Sequence, residues 1–234
     1  NDFECTFLHE TDGVGDLERA LTEGHRLKID LAVKRFLRLS EALSNDANYK
    51  SFFNGKFLQY SREYIDELIT VKWKGNWHRA FEGAPSTEID RFRVDVAREI
   101  YRHSIAKKSY DLYEPDAWMP EYKPFIDEYY SPSLVEQSEK ERFLNLTRKY
   151  TAKLFSQIPL KANHRYILVD QLLPPSDMSR YSRYFDSVKT LIIDRDPRDL
   201  FACNKADWGS RYIPSSNSDD FIRWYSSSRR VRDL

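Results

Sequence analysis

The sequence predicts an α/β protein, a three-layer fold around a parallel sheet that carries a large helical insertion. Two runs of β-forming residues predict the sheet. Tyr166-Ile167-Leu168-Val169 and Val188-Lys189-Thr190-Leu191-Ile192-Ile193 are nearly continuous and stop abruptly at Asp170 and Asp194. That is the pattern of strands covered on both faces. The insertion is predicted by apolar residues recurring at helical spacing over about residues 16 to 157.

Taken in chain order, Cys5-Thr6-Phe7-Leu8 reads as a first short strand. Leu27, Leu31, Val33, Phe36, Leu37 and Leu39 mark one helix, and Tyr60, Tyr64, Ile65, Leu68 and Ile69 mark another. Turn-forming clusters punctuate this region at Ser44-Asn45-Asp46, Gly75-Asn76, Gly83-Ala84-Pro85-Ser86 and the proline-spaced stretch from Tyr113 to Pro132. A helix from Glu136 to about Phe155 precedes the second strand. Aromatic residues gather at Trp73, Trp77 and Phe81, and again at Trp118, Tyr122, Phe125, Tyr129 and Tyr130. They read first as packing, with contact to a sugar or planar ligand as the alternative. The whole, 1–234, reads as a single domain containing the insertion 16–157.

Composition narrows the function. The 234 residues hold 37 Lys and Arg against 37 Asp and Glu. A partner recruited by net charge, such as nucleic acid or a membrane surface, is therefore not expected, and any anion site must be local. No window approaches the roughly 18 to 20 apolar residues of a membrane span. Cys5 and Cys203 fit neither a disulfide framework nor a zinc motif, and the five histidines are scattered, so no metal is expected. Asn145-Leu146-Thr147 matches a glycosylation acceptor on a predicted helix. The basic run Arg229 to Arg232 reads as a solvated helix face. The chain opens without Met and ends inside a helical-looking run, which suggests a missing start and a shortened end. The compartment expected is the cytoplasm, or the Golgi lumen if an anchor precedes the chain.

The most specific stretch is Asp194-Arg195-Asp196-Pro197-Arg198-Asp199-Leu200. Asp196 suits a helix cap and Pro197 the first helical position. The residue before a proline is pushed out of helical geometry, so the turn is fixed at Arg195-Asp196. Arg195 would then stand where a strand ends, and its planar guanidinium can clasp a phosphate through two hydrogen bonds. The competing reading is a structural knot in which Arg195 and Arg198 pair with Asp194, Asp196 or Asp199. The residues alone leave both open.

The run from Lys189 to Leu200 resembles the second nucleotide motif of sulfotransferases that use 3'-phosphoadenosine 5'-phosphosulfate (PAPS), a strand ending in Arg-Asp-Pro-Arg-Asp. The stretch from Ile167 through Pro174-Pro175 to Tyr184-Phe185 is also similar. The resemblance implies a phosphate-loop nucleotide-binding fold and transfer of a sulfuryl group to an acceptor hydroxyl, on a carbohydrate in the branch most alike. It places Arg195 on the nucleotide's 3'-phosphate, with Arg198 beside it. A hydroxyl residue is usual eight positions on; here Cys203 stands there, a departure from the family pattern that leaves the duty to Cys203 itself, to the neighbouring Asn204 or to backbone. Asn1 to Thr11 looks like the region with the strand that delivers the catalytic base, which assigns the role to Glu10, with His9 as the competitor from the small-molecule branch. The family's 5'-phosphosulfate loop has no counterpart in the 234 residues, since Gly13-Val14-Gly15 lacks the following Lys and Ser or Thr. This chain by itself is accordingly expected not to turn over. A phosphate-loop kinase and a non-catalytic nucleotide- or sugar-binding module are the alternatives.

Overall fold

Where the apolar spacing is helical, the chain is helical. The computed structural model describes residues 4–23, 26–75, 127–131, 138–160, 162–163 and 165–232. Helices α1 (Val14–Glu23), α2 (Arg26–Asn45), α3 (Ala47–Phe52), α4 (Phe57–Leu68) and α5 (Ser138–Phe155) build the main body. Asp46 starts α3 as the sequence suggests, its carboxylate accepting from the Asn48 and Tyr49 amides at 2.8 and 3.1 Å. Helices α4 and α5 are joined by Tyr64 and Tyr150, whose rings stack 4.5 Å apart. Burial would strand both hydroxyls, but Tyr64 Oη meets Thr147 Oγ1 and Tyr150 Oη meets Ser61 Oγ, each at 2.7 Å. Thr147 is thereby buried, so Asn145-Leu146-Thr147 is no exposed acceptor loop. The centre of the core is aromatic: Phe7 packs edge-on against Phe53, Phe57 and Tyr150.

The three-layer parallel sheet is not formed. Among the described residues the only sheet is a two-stranded antiparallel pair, β1 (Val71–Gly75) with β2 (Asp127–Ser131), inside the stretch read as wholly helical. Parallel pairing is confined to an isolated bridge between Glu4 and Asp170, with Cys5 N donating to Asp170 O at 3.1 Å. The reason is local at the first run. Tyr49 Oη accepts the amides of Thr6 and Phe7 at 3.1 and 3.3 Å, and Thr6 O takes the amides of His9 and Glu10 in a turn. Those groups are no longer available to a ladder. At 165–169 and 188–193 the chain is without regular structure and has no strand partner among the described residues. Leu168 is 90% exposed and Leu191 and Ile193 each 79%, where a buried strand would hide them.

Beyond these segments lie α6 (Met178–Ser182), α7 (Pro197–Cys203), a π turn at Asn204–Trp208 and α8 (Ser218–Arg232). Asp196 caps α7 through its carboxylate and Pro197 occupies the first turn, as the local sequence predicts. Gly209, at φ 57°, ends the π turn in the left-handed region that glycine tolerates. Phe221 of α8 packs on Phe201 of α7 at 5.1 Å, a satellite of the main core. Of the aromatic gathering in the insertion, Trp73 and Tyr129 stand opposite one another in β1 and β2, and Tyr130 is partly buried against the core; Trp77, Phe81, Trp118, Tyr122 and Phe125 lie outside the described residues.

Candidate functional site

The charged turn before α7 resolves into specific pairs. Asp196 takes Arg198: its oxygens accept the Arg198 amide at 2.8 Å, Nε at 3.0 Å and Nη2 at 2.6 Å. These hydrogen bonds, the side-chain ones first, pull the Asp196 carboxyl down to about 2. Asp194 takes two partners from α8, Arg232 Nη1 at 2.7 Å and Arg229 Nη1 at 2.5 Å, and its carboxyl is likewise held below the ordinary range. Arg198 therefore belongs to the structural knot. Arg195 does not: among the described residues its guanidinium pairs with no carboxylate and stands exposed. It lies close enough to Cys203 to act on the thiol.

Cys203 donates to Asp207 Oδ2 at 3.3 Å, and this bond, ahead of burial, pushes the thiol up and keeps it protonated. The thiol is also acted on by the nearby Arg195 guanidinium. Cys203→Ser is expected to keep nucleotide affinity within about twofold or improve it, since a hydroxyl both donates and accepts more strongly than a thiol. Titration calorimetry reads this, and a tenfold loss would show the thiol is not in the hydroxyl's place. Asn204 is otherwise employed. It is buried, and its amide donates to Leu200 O at 3.1 Å where α7 passes into the π turn.

Glu10 and His9 stand on the turn that opens α1. The Glu10 side chain is exposed and holds no partner among the described residues. His9 is partly buried, its Nε2 lies 2.5 Å from Gln171 O, and its ring meets Tyr181 edge-on at 6.2 Å. A carbonyl can only accept, so Nε2 carries the proton, leaving Nδ1 as the acceptor on the neutral ring. His9 lines a groove of about 1260 Å³ that runs between 165–175 and 185–193 over Phe155 and Ala152 of α5. Neither Glu10 nor Arg195, Arg198, Cys203 or Asn204 lines it. The structure thus collects the Arg195 group at one place and His9 at another.

The start of α1 is no phosphate cradle. Val14 N and Gly15 N donate to Phe7 O and Leu8 O at 3.1 and 2.8 Å, and a Cβ on Gly13 would lie 2.5 Å from Phe7 O. Its amides are spent on closing the turn. Sequence reasoning missed Arg229 and Arg232. Their spacing put them on one helix face, but nothing local tied that face to Asp194, 35 and 38 residues away. Among the described residues no cluster of His, Cys, Asp and Glu suits a metal ion, and no helix is long and apolar enough to cross a membrane. No family model, curated protein or solved structure matches the chain.

Proposed function

We propose that the chain binds the 3'-phosphate of a phosphoadenosine nucleotide through Arg195 and serves sulfuryl transfer from PAPS to an acceptor hydroxyl, on a carbohydrate. The observation that carries this reading is the lone guanidinium. Of the arginines gathered around the turn, Arg198, Arg229 and Arg232 are engaged by carboxylates and Arg195 is not. An exposed planar cation without a carboxylate partner among the described residues, on a turn that runs into a capped proline helix, suits a phosphate.

The residues present fit one end of the nucleotide. Arg195 would hold the 3'-phosphate, with Cys203 alongside. The 5' end finds no cradle at α1, whose first amides are already bonded. When bound, PAPS supplies the sulfuryl group. What this chain adds is an anchor at Arg195 and a base at the opening turn, either a Glu10 carboxylate oxygen or His9 Nδ1, to take the acceptor's proton.

Adenosine 3',5'-bisphosphate is expected to bind, and ATP, which lacks a 3'-phosphate, to bind at least tenfold more weakly. Arg195→Ala removes a charge-assisted pair of about 1.5 to 3 kcal/mol, or roughly 10- to 150-fold in affinity. Calorimetry on the wild type and the variant measures both. Equal affinity in a folded Arg195→Ala chain rejects the assignment, and preference for ATP with magnesium would favour a kinase.

A further inference from the structure

We propose that Arg229 and Arg232 are positioning residues: by occupying Asp194 they keep Arg195 available to an anion. This rests on the reading of Arg195 as the nucleotide's anchor. Asp194 and Asp196 flank Arg195 in the chain, and either could quench it. Asp196 is held by Arg198 in a two-pronged pair. Asp194 Oδ1 accepts from both α8 guanidiniums at once, and a carboxylate so engaged attracts a third cation weakly.

The same arrangement disposes of the other neighbours. The Cys203 thiol stays neutral because Asp207 accepts its proton in a hydrogen bond, so no thiolate competes for Arg195. Arg229 and Arg232 sit in the last turn of α8, where cations are favoured by the helix dipole. Their side chains are 34% and 18% exposed against 59% for Asp194, so partly buried arginines hold a more exposed carboxylate. Docking of α8 and anion binding at Arg195 are thereby linked through one carboxylate, without the α8 arginines touching the nucleotide.

The test is a double-mutant cycle between Asp194→Asn and the pair Arg229→Gln/Arg232→Gln, with the Kd for adenosine 3',5'-bisphosphate measured at low ionic strength. Glutamine keeps a polar, helix-compatible side chain at these partly buried positions, and the single variants Arg229→Gln and Arg232→Gln extend the cycle if the pair fails to fold. The arginine variants are expected to bind about fivefold more weakly, because the released Asp194 captures Arg195. Asp194→Asn alone changes affinity less than twofold, since that carboxylate is already occupied, yet it restores affinity in the arginine variants. An equal gain from Asp194→Asn in both backgrounds means that net charge alone matters and overturns the proposal. So does unchanged affinity in the arginine variants while Arg195→Ala still loses binding. If Arg195→Ala itself loses nothing, it is the nucleotide reading that fails.

Discussion

Glu18→Ala is expected to lower stability by about 3 to 5 kcal/mol, the cost of removing one partner from a buried ionic group. Glu18 is 1% exposed inside α1. Its oxygens take the Tyr184 hydroxyl at 2.5 Å and Arg183 Nη2 at 3.1 Å, with Arg180 Nε at 3.5 Å. Deleting the carboxylate leaves the buried Tyr184 hydroxyl facing a cavity and takes the charge partner from Arg180 and Arg183, whose side chains are 20% and 37% exposed. The Tyr184 hydroxyl, whose ionisation is pushed up first by burial and then by its bond to Glu18, cannot relieve the loss by shedding its proton. For a chain of this length the melting temperature should fall by roughly 6 to 20 °C. Differential scanning calorimetry reads the change, with Glu63→Ala as a control, because the Glu63 pair with Lys153 lies in solvent and should matter little. A melting temperature within 2 °C of wild type would show that the cluster relaxes without cost. The consequence reaches the groove, since this ionic group fastens α1 to the segment carrying Tyr181, and Tyr181 packs on His9 and covers Gly15.

What the sequence made legible is what short-range physics decides. The Asp196-Pro197 start of α7 needs only a carboxylate, a proline and the next two amides, and it forms. The helices follow from a period that any stretch of about ten residues displays, and Ser138–Phe155 of the helix expected from Glu136 to about Phe155 is helical. The sheet depended on partners far along the chain, and there the reading failed. Cys5 to Leu8 is as apolar as a buried strand, but Tyr49, 43 residues on, takes the amide of Thr6 and stops a ladder. The runs 166–169 and 188–193 have strand composition without neighbouring strands among the described residues, and composition carries no information about who pairs with whom. The site divides in the same way. Which carboxylate takes Arg198 is settled two residues away, whereas the fate of Asp194 is settled by α8, and so the freedom of Arg195 was invisible beforehand.

The opening turn leaves two candidates for the base, and kinetics separates them. Glu10→Gln is expected to slow sulfuryl transfer about 10²- to 10⁴-fold, equivalent to roughly 3 to 5 kcal/mol of barrier, while nucleotide binding survives. The amide keeps the size and hydrogen bonding of the carboxylate and loses only its capacity to take a proton. Geometry argues for Glu10 on one ground and against it on another. Its carboxylate is exposed and uncommitted, so it can turn toward an acceptor. Yet it is His9 that lines the groove, with Nε2 fixed on Gln171 O and Nδ1 left to accept. That bond fixes the tautomer and the ring orientation, as a base requires. Measuring kcat and KM for Glu10→Gln and His9→Ala with a carbohydrate acceptor decides between them. A near-normal kcat in Glu10→Gln beside a collapsed kcat in His9→Ala would transfer the role to His9. It would also move the acceptor site into the groove over α5, where Glu10 has no access and small acceptors would meet an apolar wall.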